Sequence, residues 1–141
     1  DLTPEELFEV FGEQDPTQDA EETEQRYGDS DAYAESQRRT SRYRKDDWQR
    51  ILAEQEQVTA RLAEAMSADL PADSEEAMDA AEAHRQHISR WYYDCTYEIH
   101  RGLGDMYVSD PRFTAHYEKH APGLAAYVRD AIVANAERAG A

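Results

Sequence analysis

Cys95 is the only cysteine in the 141 residues. One thiol cannot form an internal disulfide. No apolar run of about 18 residues is present, nor a basic n-region followed by a small-residue cleavage pattern, so no segment reads as a membrane span or a leader. The expected setting is soluble, reducing and cytoplasmic, with no membrane partner. Basic residues are scarce, with 15 Lys+Arg against 31 Asp+Glu and a formal net charge of −16. A surface that acidic repels phosphate backbones, which argues against nucleic acid as a partner of this chain alone. Strict strand-like alternation is missing, as is any repeat of about 20–50 residues. What remains is an all-α chain of 16.2 kDa, enough for one domain with one modest core.

The charge is unevenly placed. Twelve acidic residues and a single base, Arg26, lie between Asp1 and Asp31. From Glu13 to Asp31 the only apolar side chains are Ala20 and Tyr27, too few to offset about 1–2 kcal/mol of backbone ordering per residue. Alone, this stretch is expected to be mobile, and residues 1–40 read as a segment apart from a helical core over 41–141. At its start, "LTPEELFEVFG" reads as a two-turn helix, with Thr3 as N-cap, Pro4 at the first helical position, Glu6 closing a capping box and Gly12 as the stop. Leu7, Phe8 and Phe11 share one face of it, so it must lean on another surface.

Beyond Tyr43 the helical period is strong. Trp48, Ile51, Leu52, Val58, Leu62, Ala65 and Met66 fall on one stripe that "ADLPADSE" ends. Asp73 with Glu76 reads as a capping box for the next helix, whose stripe (Ala77, Ala81, Ile88, Trp91, Cys95, Ile99, Met106) runs too long for one helix. The expected break is near residues 92–94, with Asp94 as an N-cap. Asp110–Pro111 should open a short helix carrying Phe113 and Tyr117. Pro122 should open a last one with an apolar face of Leu124, Tyr127, Val128, Ala131 and Ile132.

Five histidines offer metal-like spacings, i,i+4 in His116/His120 and i,i+3 in His84/His87. The zinc-protease pattern would need a glutamate where Tyr117 stands, so the reading is of exposed or partly buried histidines and no metal.

Cys95 carries the chemical question in "WYYDCTYEIH". As a small hydrophobe it would sit in a core. Its helical neighbours Ile88, Trp91, Tyr92, Ile99 and Gly102 equally suit the wall of an apolar ligand site. With Asp94 as cap, Cys95 would lie in a first turn whose dipole lowers a thiol pKa, while the Asp94 charge opposes that. Nine tyrosines and two tryptophans against three phenylalanines favour a surface with apolar faces and hydrogen-bonding tips.

Taken together, "LTPEELFEVFG", "KDDWQRI", "PADSEEAMDAAEAHRQHI", "YDCTYEIH", "LGDMYVSDPRF" and "PGLAAYVRDAIVANA" resemble the TipAS-type antibiotic-binding domain of thiopeptide-responsive MerR-type transcriptional activators. The resemblance covers nearly the whole chain apart from the acidic stretch. It implies a globin-like helical fold without haem or other cofactor, a cleft for macrocyclic thiopeptides such as thiostrepton, and an N-terminal segment that orders over the drug. It also implies that Cys95 adds to a dehydroalanine of the ligand; from the helical faces, the expected ligand-binding residues are Ile88, Trp91, Tyr92, Asp94, Ile99, Leu7, Phe8 and Phe11. His100 is five residues from Cys95, off its helical face, and no catalytic constellation surrounds the thiol, so the chain is expected to be a stoichiometric trap and sensor, not an enzyme. The DNA-binding and dimerisation regions of such an activator are not in the sequence, and the chain resembles the short form that binds drug but not DNA. Two readings of another class stay open: a thiol-dependent enzyme, marked by turnover, and a haem-binding or structural helical module using His84, His87 or His100, marked by a Soret band.

Overall fold

A computed structural model describes residues 31–141. Among them are six helices and no strand: α1 (Asp31–Thr40), α2 (Lys45–Ser67), α3 (Glu75–Trp91), α4 (Tyr97–Ser109), α5 (Pro111–His120) and α6 (Leu124–Arg138). The all-α expectation holds. The helix expected over "LTPEELFEVFG", with Leu7, Phe8 and Phe11, lies outside the described residues. These residues form two packed units, 31–54 with 88–94 and 55–87 with 95–141.

Helix α1 has no apolar stripe to announce it, and none of its residues is buried. Local charge supports it instead. Asp31 sits in the first turn and Arg38 and Arg39 in the last, complementing the helix dipole, and Glu35 pairs with both arginines at i,i+3 and i,i+4. At the start of α2 the Asp47 carboxylate reaches back to the Arg44 N–H at 3.0 Å, the return half of a capping box.

The break between α3 and α4 falls where expected, after Trp91 and before Tyr97. The caps differ. Ser74, not Asp73, opens α3, its hydroxyl accepting from the Ala77 N–H at 3.2 Å. Thr96, not Asp94, caps α4 by accepting from the Ile99 N–H at 3.1 Å. In both cases a hydroxyl residue nearer the helix takes the position. Asp110 and Pro111 do open α5 as expected. Pro122 does not open α6. The N-cap is Gly123 at φ 89°, and the donors at that end are met by the Glu118 carboxylate of α5, 2.9 Å from the Gly123 N–H and 3.0 Å from that of Ala125.

The core lies in the second unit. Val58, Leu62 and Ala65 of α2, Ala77, Ala80 and Ala81 of α3, Tyr107 and Tyr117, and Leu124, Ala125, Val128, Ala131 and Ile132 of α6 form one buried cluster. Alanine on α3 lets its neighbours come close. Gly104 of α4 faces α6, where a Cβ would lie at contact distance, 3.4 Å from the Arg129 Cα and 3.5 Å from the Ile132 Cδ1. The Tyr127 hydroxyl donates to the Leu70 carbonyl at 2.9 Å, tying α6 to the chain after α2. In the first unit Ile51 and Ile88 are buried.

Candidate functional site

In the first unit, the sequence-predicted residues Trp91 and Tyr92 join an aromatic cluster with Tyr43 and Trp48. Tyr43 stands edge-on to both tryptophans at 5.7 Å, and Trp48 lies 6.4 Å from Tyr92. The Tyr43 hydroxyl donates to the Trp91 carbonyl, and the Trp91 indole N–H donates to Glu54 at 3.2 Å. Glu54 also takes Arg90 at 2.6 Å, while the Arg50 guanidinium lies 6.0 Å from the Trp91 ring. Rings held by polar tips and cations are rigid contact surface, the kind a large flat ligand uses. Tyr43 and Trp48 are not among the expected site residues. They precede or begin a helix far along the chain from residue 91, so nothing in the local period links them.

Asp94 is exposed, and its carboxylate lies 3.6 Å from Arg39, which also donates to the Ser89 carbonyl at 2.8 Å. It therefore anchors the end of α1 and does not cap α4. Ile88 is buried within this unit.

In the second unit, Cys95 lacks the expected first-turn placement and has the burial of a small core hydrophobe. It precedes the Thr96 cap, so it is not in a helical first turn. It is also only 1% exposed, and burial pushes the thiol from 9.0 up to about 12, with the Arg85 charge opposing and Glu82 adding. Desolvation of the thiolate outweighs every favourable charge nearby. The thiol contacts the Thr96 carbonyl weakly at 3.8 Å. Ile99 is the exposed large hydrophobe of the described chain, at 36%. Gly102 is exposed, and a Cβ placed on it would meet nothing within 4 Å, so it lines no wall.

The surroundings of Cys95 are built by α3. Arg85 donates through Nη1 to the Cys95 carbonyl at 2.8 Å, and its guanidinium lies 4.1 Å from the Tyr97 ring. Glu82 holds that guanidinium through Nε at 3.0 Å and Nη2 at 2.6 Å. Glu82 also accepts from Gln86 at 2.8 Å and Asn135 at 2.9 Å, and those hydrogen bonds bring its carboxyl down to about 2 against the cost of burial.

The histidines are more buried than the sequence suggests. His84, His87 and His100 are 8%, 3% and 0% exposed, and His84 Nδ1 meets His100 Nε2 at 2.9 Å. Burial, with repulsion from His100 and His87, brings His84 to about 3, and burial with the Arg85 charge, against Glu82, brings His100 to about 4, so both are neutral. Their facing nitrogens are taken up by each other. His116 and His120 stack edge-on at 5.5 Å, and no group of three or more metal-ligating side chains occurs among the described residues. No described helix is long and apolar enough to cross a membrane.

Comparison with known proteins places this arrangement. The family model of the TipAS antibiotic-recognition domain matches residues 20–135. The chain belongs to the TipAS family. Among its relatives, the HTH-type transcriptional activator TipA of Streptomyces coelicolor is 58% identical over 137 residues, spanning 97% of this chain and 54% of the relative. The HTH-type transcriptional activator mta of Bacillus subtilis is 39% identical over 122 residues, 82% of this chain and 47% of the relative. This TipAS-family chain thus spans about half the length of the curated relatives it matches. Among solved structures, TipAS of Streptomyces lividans in complex with nosiheptide, from a thiopeptide antibiotic multidrug resistance system, superposes with a TM-score of 0.91 at 57% identity, covering 100% of this chain and 99% of that one. The antibiotic-binding domain of a TipA-class multidrug resistance transcriptional regulator gives 0.61 at 58% identity over 67% of this chain and 100% of that one.

Proposed function

We propose that this antibiotic-recognition domain binds thiopeptides and serves as the drug-sensing part of a transcriptional regulator, without turning its ligand over. The observation that carries this is the 0.91 TM-score and 57% identity to a TipAS protein holding nosiheptide. The proposed ligand contacts are Ile88, Trp91, Tyr92, Asp94 and Ile99, together with Leu7, Phe8 and Phe11 of a lid spanning residues 1–40. The rigid Tyr43–Trp48–Trp91–Tyr92 cluster supports an aromatic contribution. The setting is the cytoplasm, and this chain alone contacts no DNA, in line with its charge of −16.

Covalent attachment is proposed at Cys95. Its sulfur would bond to the β-carbon of a dehydroalanine while the α-carbon takes up a proton, so nothing leaves and the adduct weighs the sum of protein and drug. The buried, protonated thiol favours a second reading in which recognition is reversible and capture follows slowly. Intact-mass spectrometry with thiostrepton and nosiheptide separates them. A stable one-drug mass increase lost in Cys95→Ala, with reversible binding kept, supports capture. Tight binding with no mass increase leaves only reversible recognition, and no binding at all rejects the function.

A further inference from the structure

The thiol proposed to capture ligand is buried in this structure, and one side chain holds the backbone that carries it. Arg85 donates to the Cys95 carbonyl at 2.8 Å, lies on the Tyr97 ring at 4.1 Å and approaches the Tyr97 hydroxyl at 3.4 Å, so it grips the chain on both sides of Thr96. The guanidinium is itself fixed. Glu82 takes it through two nitrogens, and the carboxylate is held in turn by Gln86 and by Asn135 of α6, which is 1% exposed. A fork with every partner in place loses little entropy on each bond it makes, and a charge-assisted bond to a carbonyl is among the stronger ones. The connection it grips is short, running from the end of α3 at Trp91 to the start of α4 at Tyr97.

We infer that Arg85 is the positioning residue for Cys95 chemistry: its bond to the Cys95 carbonyl latches the thiol in the buried state, and release of that bond is the step that presents the sulfur to an electrophile. This rests on Cys95 being the attachment point, and it predicts that the lone cysteine is shielded from small electrophiles until a large ligand is present. Opening also removes the desolvation that keeps the thiol protonated, while the Arg85 charge continues to favour the thiolate. Addition needs no co-reactant, because the thiol supplies both the sulfur and the proton.

The test uses the full 141-residue chain and iodoacetamide, a small electrophile that reads access to the thiol whether or not thiopeptides bind. Removing Arg85 alone would strand the Glu82 carboxylate, so the informative variant is Glu82→Gln with Arg85→Met, in which Gln86 and Asn135 keep a hydrogen-bonding partner. Alkylation of Cys95 should quicken by roughly tenfold or more, the size expected when one charge-assisted bond is lost from the closed state. Arg85→Lys, which keeps a cation and one donor, should restore part of the protection. Leu124→Ala, destabilised at the end of α6 opposite Asn135, is the control for general loosening. An unchanged rate in the double variant, an equal rise in Leu124→Ala, or no rescue by lysine overturns the inference. A separate arm measures the thiostrepton adduct of the unmodified sequence, so that failure of capture and failure of the latch are read independently.

Discussion

His84 and His100 share one hydrogen bond, Nδ1 to Nε2 at 2.9 Å, inside a unit where both rings are buried. One ring donates and the other accepts, an arrangement that fails once both rings are protonated and neither offers an acceptor. Burial keeps them so, with the pair brought to about 3 and about 4 from an ordinary value of 6.5. The unfolded chain therefore takes up protons that the folded chain refuses. Stability is fully present well above pH 6.5 and falls as pH drops through 6.5 towards 4, with a slope approaching about 3 kcal/mol per pH unit where both rings take part. Glu82, brought down to about 2, adds its own loss below its ordinary 4.5. Thermal melts from pH 8 to 4 should show the midpoint falling from about pH 6.5 downward. The double variant His84→Leu, His100→Leu should flatten the upper part of that fall. A midpoint level between pH 6.5 and 5 would count against the pair.

The thiol should show the opposite trend. With Cys95 pushed up to about 12, the thiolate is a trace at neutral pH and grows with each step upward. Alkylation of the folded protein should rise about tenfold per pH unit through pH 9 without levelling, whereas the urea-unfolded chain should level near the ordinary thiol value of ~8.5. The measurement is initial rate by mass spectrometry. A plateau near pH 8 in the folded protein would mean the thiol is ordinary.

How far the residues alone reach is visible at the caps. Asp110–Pro111 is legible because cap and first helical residue are adjacent and nothing competes. Asp94 and Asp73 mislead because Thr96 and Ser74, one or two places on, are equally good caps, and only tertiary packing decides between neighbours. Helix α1 is invisible to a search for apolar stripes, since charge pairs hold it. The burial of His84 and His100 is equally out of reach, because their meeting joins residues 16 apart on different helices. The aromatic residues Trp91 and Tyr92 stand out in the sequence, but their partners Tyr43 and Trp48 need the fold.

Two helices end the same way with different residues at the critical position. After α2, the Asp69 and Leu70 N–H groups bond the Met66 and Ala65 carbonyls at 3.0 Å, and Asp69 sits at φ 60°. After α6, Gly140 and Ala141 bond Glu137 and Ala136 at 2.9 Å, with Gly140 at φ 84°. This closing turn suits glycine, and a side chain there costs about 1–2 kcal/mol. Asp69→Gly should raise stability by up to ~1 kcal/mol, the rest being offset by glycine's freedom in the unfolded chain. Gly140→Ala should lower it. A lower melting midpoint for Asp69→Gly would show that the aspartate makes a compensating bond.

Gly104 has a sharper size limit. A methyl there would just touch Arg129 and Ile132 at 3.4–3.5 Å, and alanine gains about 0.5–1 kcal/mol over glycine within a helix. Gly104→Ala should thus be near neutral. Gly104→Val adds two methyls with no room between α4 and α6, at a cost of about 1–3 kcal/mol. Urea unfolding of both variants checks this, and equal midpoints would mean that α4 and α6 can move apart freely.

The last expectation concerns α1, which belongs to the proposed lid. A ten-residue helix is shorter than the ~12–15 residues that are marginal in isolation, and none of its side chains is buried. Arg39 helps to tie it down, bonded to the Ser89 carbonyl at 2.8 Å and paired with Glu35 at 2.7 Å and Asp94 at 3.6 Å. Bonds at a half-exposed surface of this kind hold a helix in place only weakly. Amides of residues 31–40 should therefore exchange with solvent much faster than those of α6, whose Leu124, Val128 and Ile132 are fully buried. Arg39→Ala should speed them further without changing α6. A saturating thiopeptide should slow them, because a large apolar ligand supplies the surface that α1 lacks. Exchange in α1 as slow as in α6 without ligand would mean that this segment is already locked, and the lid proposal would fail with it.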